Sequence, residues 1–367
     1  MKYLFLNSVA GTGSTGRIAA RQCRELHQQG HECVLAYGWE KGICDDIPTY
    51  RIGTRLDNCL HAAGTRLLGA HGFGSAAATR RFLRWVRDYD PDVIWLHNIH
   101  GYYLQVELLF RYLKNSGKQI FWTLHDCWSF TGHCPHFGDC EKWKTGCHHC
   151  PRFREYPVSF VDSSRSSYAR KRDAFTGVPG LTLITPSQWL ADLTRESFLK
   201  EYPVQVLPNT IDTDVFRPTP SDFRARYGLT GKRLLLGVSG SWSEKKGLGD
   251  LLALSQELPD FCRIVLVGLT PEQLAGMPET VLALPRTNSP AELAEIYSAA
   301  DLFVNPTYED TYPTVNLEAR ACGARVVCYD TGGCRETLGE ADVLIPRGDI
   351  EALAAAVIHL LEKGENQ

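Results

Sequence analysis

Asn305-Pro306-Thr307-Tyr308-Glu309-Asp310-Thr311-Tyr312-Pro313-Thr314-Val315-Asn316-Leu317-Glu318-Ala319-Arg320-Ala321-Cys322-Gly323 is the stretch on which the fold turns. The apolar run Leu302 to Asn305 that leads into it reads as a short buried strand, and Pro313 suits the first turn of the helix that follows. Strand, polar loop and helix in that order make half of a parallel crossover unit. Asp310 falls in the loop and Glu318 on the helix, eight positions later. Two carboxylates so placed could hold two different hydroxyl-bearing parts of one ligand.

Working outward, the same alternation recurs twice. In the first half the β-rich runs are Tyr3 to Asn7, Cys33 to Tyr37, Val93 to Leu96, Ile120 to Leu124, Leu181 to Ile184 and Val204 to Leu207. In the second they are Leu234 to Ser239, Arg263 to Val267, Leu302 to Asn305, Arg325 to Cys328 and Val343 to Ile345. Helix-period stretches separate them, among them Arg17 to Gln29, Leu104 to Asn115, Leu248 to Leu258, Ala291 to Ala299 and Ile350 to Glu362. The pattern predicts an α/β chain of two doubly wound, Rossmann-like domains in series, residues 1–207 and 208–367. The break is expected in the proline-rich segment Pro208 to Pro220, and the last helix is expected to return toward the first domain. Open parallel sheets bind ligands beyond the carboxyl ends of their strands, so the polar residues there predict a cleft between two facing domains.

Composition narrows the function classes. With 367 residues, 44% hydrophobic and 22% charged, the chain has room for two sizeable cores and is neither disordered nor fibrous. No apolar run reaches the roughly 18 residues of a membrane span, and the run after Met1 is too short for a signal-peptide core, which predicts a cytoplasmic protein. The net charge of -3 argues against nucleic acid as a partner. That total conceals +6 on residues 1–205 and -9 on residues 206–367, so the first domain is the one suited to an anionic surface or a lipid-phosphate substrate. Of 13 cysteines, Cys23, Cys33, Cys44, Cys59, Cys262, Cys322, Cys328 and Cys334 lie in apolar segments and read as reduced core or near-core thiols.

Two loops have the form of phosphate sites. Gly11-Thr12-Gly13-Ser14-Thr15-Gly16 follows the first strand and opens a helix, where backbone N-H groups can meet a phosphate. Read alone, with Glu40 on a ribose, it would make a nicotinamide-dependent dehydrogenase. The second half repeats the architecture with Gly240-Ser241-Trp242-Ser243-Glu244-Lys245-Lys246-Gly247, which such an enzyme does not require. A lysine beside a helix N-terminus can neutralise a diphosphate.

Taken together, these pieces resemble the retaining glycosyltransferases of family 4, which have the two-domain GT-B fold. The likeness spans the glycine loop, the His125 turn, Val206-Leu207-Pro208-Asn209-Thr210-Ile211-Asp212, the Lys246-Gly247 turn, the carboxylate pair, Gly332-Gly333-Cys334-Arg335-Glu336 and Gly348-Asp349. Gly13-Ser14-Thr15-Gly16-Arg17-Ile18 and the cysteine-rich run after His125 look like the bacterial capsule, exopolysaccharide and colanic-acid branch. The resemblance implies that Glu318 binds the ribose of a nucleotide, Asp310 the donor-sugar hydroxyls and Lys246 the departing diphosphate in place of a metal, with His125 near the reacting sugar. Gly13, Gly16, Asn209, Ser241, Thr311 and Tyr312 would complete the donor side, and His97 and Asp126 would lie on the acceptor side. It implies a nucleotide-sugar donor, UDP- or GDP-linked, and a glycan acceptor carried on a lipid, with no catalytic metal required. An inactive sugar-binding scaffold of the same fold is the non-enzymatic alternative. Asp310 stands where the family usually has glutamate, Ser241 where it often has arginine, and Pro313 where it has glycine.

Residues 127–150 form a separate problem. Cys134, Cys140, Cys147 and Cys150 could bind a structural Zn2+ through four thiolates, could stay as unmetallated thiols, or could form disulfides. His133, His136, His148 and His149 could each replace one cysteine. Finally, Thr79 to Arg87 mixes arginines with apolar residues at helical spacing. It reads either as peripheral contact with the inner face of a membrane or as a buried stripe with a solvated basic face.

Overall fold

The computed structural model describes residues 1–363. The chain divides into two compact units, the first ending at Pro208 and the second beginning at Asn209. The first contains β1 (Lys2–Asn7), β2 (Glu32–Tyr37), β3 (Thr49–Arg51), β4 (Val93–Leu96), β5 (Gln119–Thr123), β6 (Leu181–Thr185) and β7 (Val204–Val206). They form one sheet in the order β3-β2-β1-β4-β5-β6-β7, every neighbour parallel, with Leu6 opposite Leu96 and Leu96 opposite Trp122. The second holds β8 (Arg233–Val238), β9 (Cys262–Val267), β10 (Val281–Leu284), β11 (Leu302–Asn305), β12 (Arg325–Asp330) and β13 (Val343–Pro346), in the all-parallel order β10-β9-β8-β11-β12-β13.

Near-continuous apolar strands require cover on both faces. In the first unit one face carries Leu4, Leu6, Phe82, Phe110, Trp122 and Phe175, the other Phe5, Ala19, Cys23 and Leu35. Leu353, Ala354, Val357 and Leu361 of the last helix, Ile350–Lys363, lie in the core of the second unit. Each buried leucine, valine or phenylalanine among them contributes about 1.5–3 kcal/mol relative to exposure, which is what holds crossover helices such as Gly13–Gln28 and Thr314–Ala321 in place.

Strand order reverses at β1 in the first sheet and at β8 in the second. In a doubly wound sheet the loops leaving the strands at that reversal part to opposite faces and leave a crevice. The sheets therefore single out the loops after β1 and β4 in one unit and after β8 and β11 in the other.

Candidate active site

In the second unit two loops are locked together by glycines. Gly247 has φ 72° and ends the turn Glu244–Lys246, and a Cβ there would stand 2.2 Å from the Pro306 carbonyl oxygen. On the far side, a Cβ on Gly332 would stand 1.8 Å from the Asp310 carbonyl oxygen, which also accepts a hydrogen bond from the Gly333 N-H at 3.2 Å. Tyr308 N-H and the Thr307 hydroxyl both donate to the Lys245 carbonyl, at 2.9 and 3.3 Å. Only residues without a side chain allow the backbones this close.

This packing delivers Lys246 to Asp310. Lys246 Nζ donates to Asp310 Oδ2 at 2.8 Å and to the Glu309 carbonyl at 3.3 Å, while Asp310 Oδ1 accepts from Tyr312 N-H at 3.2 Å. Burial acts to lower the Lys246 pKa, but the Asp310 charge outweighs it and the pKa is raised, so the ammonium persists. Lys245 pairs with Glu309 at 3.2 Å. Glu318 is buried on the helix Thr314–Ala321 and accepts from the Tyr297 hydroxyl at 3.2 Å. No side chain caps that helix, whose N-terminal N-H groups follow directly on Thr311, Tyr312 and Pro313. Ser241 is exposed at the tip of the loop after β8, its N-H bonded to Ser239 Oγ. Asn209, half-buried, opens the second unit.

The first unit gathers histidines at the carboxyl ends of β4 and β5. His97 Nδ1 and His125 Nε2 are 2.9 Å apart with rings stacked at 5.2 Å, and His100 Nε2 lies 2.9 Å from Asp126 Oδ2. Burial pushes His125 down to about 4, and burial followed by the facing His125 holds His97 well below the usual imidazole range. Both rings are therefore neutral near pH 7, one donating to the other. Burial alone would raise Asp126, but the charge and hydrogen bond of His100 bring it to about 2. Asn7 ties this cluster to the glycine loop, accepting from Asn98 N-H at 3.1 Å and donating to the Val9 carbonyl at 2.7 Å. Gly13 is exposed with φ 62° at the start of the helix Gly13–Gln28, and Gly16 is buried where a Cβ would meet Val9 Cγ2 at 2.9 Å.

Sequence reasoning missed two parts of this cluster. His71 Nε2 accepts from Gly101 N-H at 3.3 Å and its ring edges onto Trp128. Lys171 is fully buried, donates to the carbonyls of Trp128 and Thr131 at 2.7 and 3.0 Å, and lies 3.5 Å from the Trp128 ring centre. In sequence it stands in Arg170-Lys171-Arg172, which looks like a solvated basic run.

None of the thirteen cysteines, all of them among the described residues, forms a disulfide, and Cys59 is exposed instead of lying in the core. Cys134 and Cys150 sulfurs are 3.7 Å apart, close to the roughly 3.8 Å between two thiolates on a tetrahedral zinc with Zn–S of about 2.3 Å. The hydrogen bond between them lowers Cys150 to about 7 and raises Cys134. Cys147 instead accepts from Gly132 N-H at 3.1 Å, and among the described residues no group of three or more His, Cys, Asp or Glu side chains is arranged to hold a metal ion. In the segment Thr79 to Arg87, Phe82, Leu83 and Val86 are buried, so its apolar residues face the core and only its arginines face out.

Residues 15–215 match the family described as Glycosyltransferase Family 4, and residues 233–363 match Glycosyl transferases group 1. The chain belongs to glycosyltransferase family 4. The Escherichia coli K12 protein WcaC, assigned to colanic acid biosynthesis as a glycosyl transferase, is 30% identical over 205 residues, 52% of this chain and 50% of its own. The chain spans about half the length of the curated relatives it matches first. Among solved structures, sucrose-phosphate synthase from Thermosynechococcus elongatus superposes with a TM-score of 0.70 at 17% identity, covering 98% of this chain and 90% of that one. Anabaena HepE in complex with UDP-glucose gives 0.69 at 16%, covering 100% and 91%. With the two sheet orders, these neighbours give the family 4 chain a GT-B fold. The family leaves the dinucleotide reading of the first glycine loop without support; Glu40 is exposed, and its carbonyl accepts from Ala10 N-H at 2.9 Å.

Proposed function

We propose that this family 4 chain transfers a hexose from a nucleoside diphosphate sugar to a hydroxyl of a glycan acceptor carried on a lipid, in polysaccharide biosynthesis, with retention at the anomeric carbon. The observation that carries the reading is the Lys246–Asp310 pair, held at 2.8 Å by glycine-locked loops beside an uncapped helix N-terminus. In the proposed step the bond from the anomeric carbon to the diphosphate oxygen breaks and its electron pair leaves with the phosphate. The acceptor hydroxyl bonds to the same face of the carbon and its proton passes to the departing phosphate oxygen. Lys246 and the helix N-terminus neutralise the charge that develops on that oxygen, the term that dominates such a reaction. Asp310 holds sugar hydroxyls, Glu318 the ribose, and the neutral His97 and His125 pair offers polar contact on the acceptor side without adding positive charge near a developing oxocarbenium ion. HepE, solved with UDP-glucose, supports a nucleotide-sugar ligand for this fold. We also propose that Cys134 and Cys150 form one edge of a structural zinc site completed by Cys140 and Cys147.

The test is a thermal-shift screen against UDP, GDP, dTDP, ADP and NAD. A ligand at 100 times its Kd that binds only the folded state stabilises it by about 2.7 kcal/mol. One nucleoside diphosphate should raise the melting temperature, and its sugar conjugate should then give a product whose anomeric proton coupling matches the donor. A shift with NAD alone, or an inverted product, overturns the proposal.

A further inference from the structure

The helix Arg55–Leu68 is inside out. Its buried residues are polar, Asn58 at 0%, His61 at 3% and Thr65 at 1% exposure, while Leu56, Leu60, Leu67 and Leu68 are 68, 63, 60 and 72% exposed. The polar face is fixed by bonds of its own. His61 Nε2 accepts from the N-H groups of Gly72 and Gly74 at 3.2 and 3.1 Å, its Nδ1 is 3.0 Å from Ser75 Oγ, and Asn58 donates to the Gly38 carbonyl at 3.2 Å. The helix cannot roll its leucines inward without leaving these groups unpaired.

Leu56, Leu60, Ala63 and Leu67 are all exposed and recur at steps of four, three and four, one continuous stripe along about 17 Å of helix at 1.5 Å per residue. The stripe continues into Phe160 and Val161, 67 and 50% exposed, through a hydrogen bond from Phe160 N-H to the Arg66 carbonyl at 2.7 Å. Its neighbour on the other side is basic. Asp57 of the same helix meets Arg81 at 3.5 Å, and Arg81 lines a groove of about 820 Å³ with Arg80, Arg84, Arg87 and Arg111. Arg80 and Arg84 have no ion-pair partner among the described residues.

We propose that this face docks the protein on a membrane surface of anionic lipid headgroups, the leucine stripe lying in the plane of the interface and the arginine groove against the phosphates. A leucine stripe edged by arginines matches the chemistry of that boundary, where apolar groups enter the acyl region and guanidinium groups meet phosphate. A 14-residue helix is too short to span a bilayer, and no helix among the described residues is long and apolar enough to cross one. A second copy of the chain fits less well, because an antiparallel two-fold contact between two such helices sets arginine edge against arginine edge. The proposal does not rest on the donor site, and its failure would leave the glycosyl-transfer reading untouched.

The experiment is co-sedimentation of the full chain with phosphatidylglycerol vesicles and with neutral phosphatidylcholine vesicles, at low and at physiological salt. Wild type should partition at least tenfold more strongly to phosphatidylglycerol, and salt should weaken that preference. Leu56→Ser/Leu60→Ser/Leu67→Ser should lower the partition at least tenfold, and Arg80→Glu/Arg84→Glu should remove the preference for anionic lipid. Both variants should keep the wild-type melting temperature and nucleoside diphosphate shift, since all five side chains face outward. Wild type that stays in the supernatant overturns the proposal, as does a leucine variant that sediments like wild type. So does a wild-type dimer that the leucine variant converts to monomer, which would assign the stripe to a protein partner.

Discussion

Gly247→Ala isolates the coupling between the two loops of the proposed donor site. Gly247 has φ 72° and ψ 27°, a left-handed conformation that costs a residue with a Cβ about 1–2 kcal/mol. The added methyl would also stand 2.2 Å from the Pro306 carbonyl oxygen and 2.6 Å from Pro306 Cγ. Neither is the end of a flexible side chain, so the Pro306 to Asp310 backbone must retreat by about 1 Å to reach ordinary contact. Strain and displacement together should cost about 2–4 kcal/mol in urea unfolding. Because the same loop carries Asp310 to Lys246, misplacement of about 1 Å should also lower kcat/KM about 100-fold. Gly228 is the control: its φ is 65°, but a Cβ there would meet nothing within 4 Å. Gly228→Ala should therefore lose only the conformational cost of about 1–2 kcal/mol and leave turnover unchanged. The assay is release of nucleoside diphosphate from the donor chosen by the thermal-shift screen, beside urea melts of both variants. If Gly247→Ala keeps turnover within threefold of Gly228→Ala, the two loops do not form one device and the assignment of Lys246 fails with it.

Three further outcomes are expected. Glu318→Ala should weaken nucleoside diphosphate affinity by about 1.5–3 kcal/mol, the range for a charged hydrogen bond, and titration calorimetry giving an unchanged Kd would remove its ribose role. Acid should unfold the first unit early. Burial, the leading cause in each case, puts His61 and His125 at about 4, holds His71 and His97 well below the usual range and lowers His133. Between pH 6.5 and 4 the unfolded chain thus binds more protons than the folded one, and stability falls as pH falls through that window. Seven of the eight tryptophans lie before Pro208, so their fluorescence reports this unit, and an unchanged urea midpoint from pH 7 to 4.5 would contradict the neutral histidine cluster. Protein purified without chelator should carry about one zinc per chain by elemental analysis, lost in Cys134→Ser/Cys150→Ser; metal-free protein, or zinc retained by that variant, would eliminate the site.

The strands legible in the sequence were those with enough apolar residues to be covered on both faces. β4 and β11 fall where the apolar runs end, at Val93–Leu96 and Leu302–Asn305. The two missed strands lie at the sheet edges: β3 is three residues, Thr49–Arg51, and β10 is Val281–Leu284. Edge position alone does not hide a strand, since β7 and β13 are also edges and were legible as Val204 to Leu207 and Val343 to Ile345; β3 is hidden because Thr49-Tyr50-Arg51 is too short and polar to show an apolar run. In the candidate site, Lys246, Asp310, His97 and His125 stood out as polar residues following apolar runs, and the roles expected of them came from the resemblance to family 4. Lys171 and the helix Arg55–Leu68 were illegible for the converse reason. A sequence pattern assumes that apolar residues turn inward and charges outward, and here a lysine is sealed over Trp128 while leucines 56, 60 and 67 face out. Such inversions persist only where something compensates them. For Lys171 that is two carbonyls and an indole face inside the fold. No equivalent compensation for the leucines lies among the described residues, so the surface proposed to dock on lipid joins the helix that breaks the pattern to the arginines of the helix that obeys it.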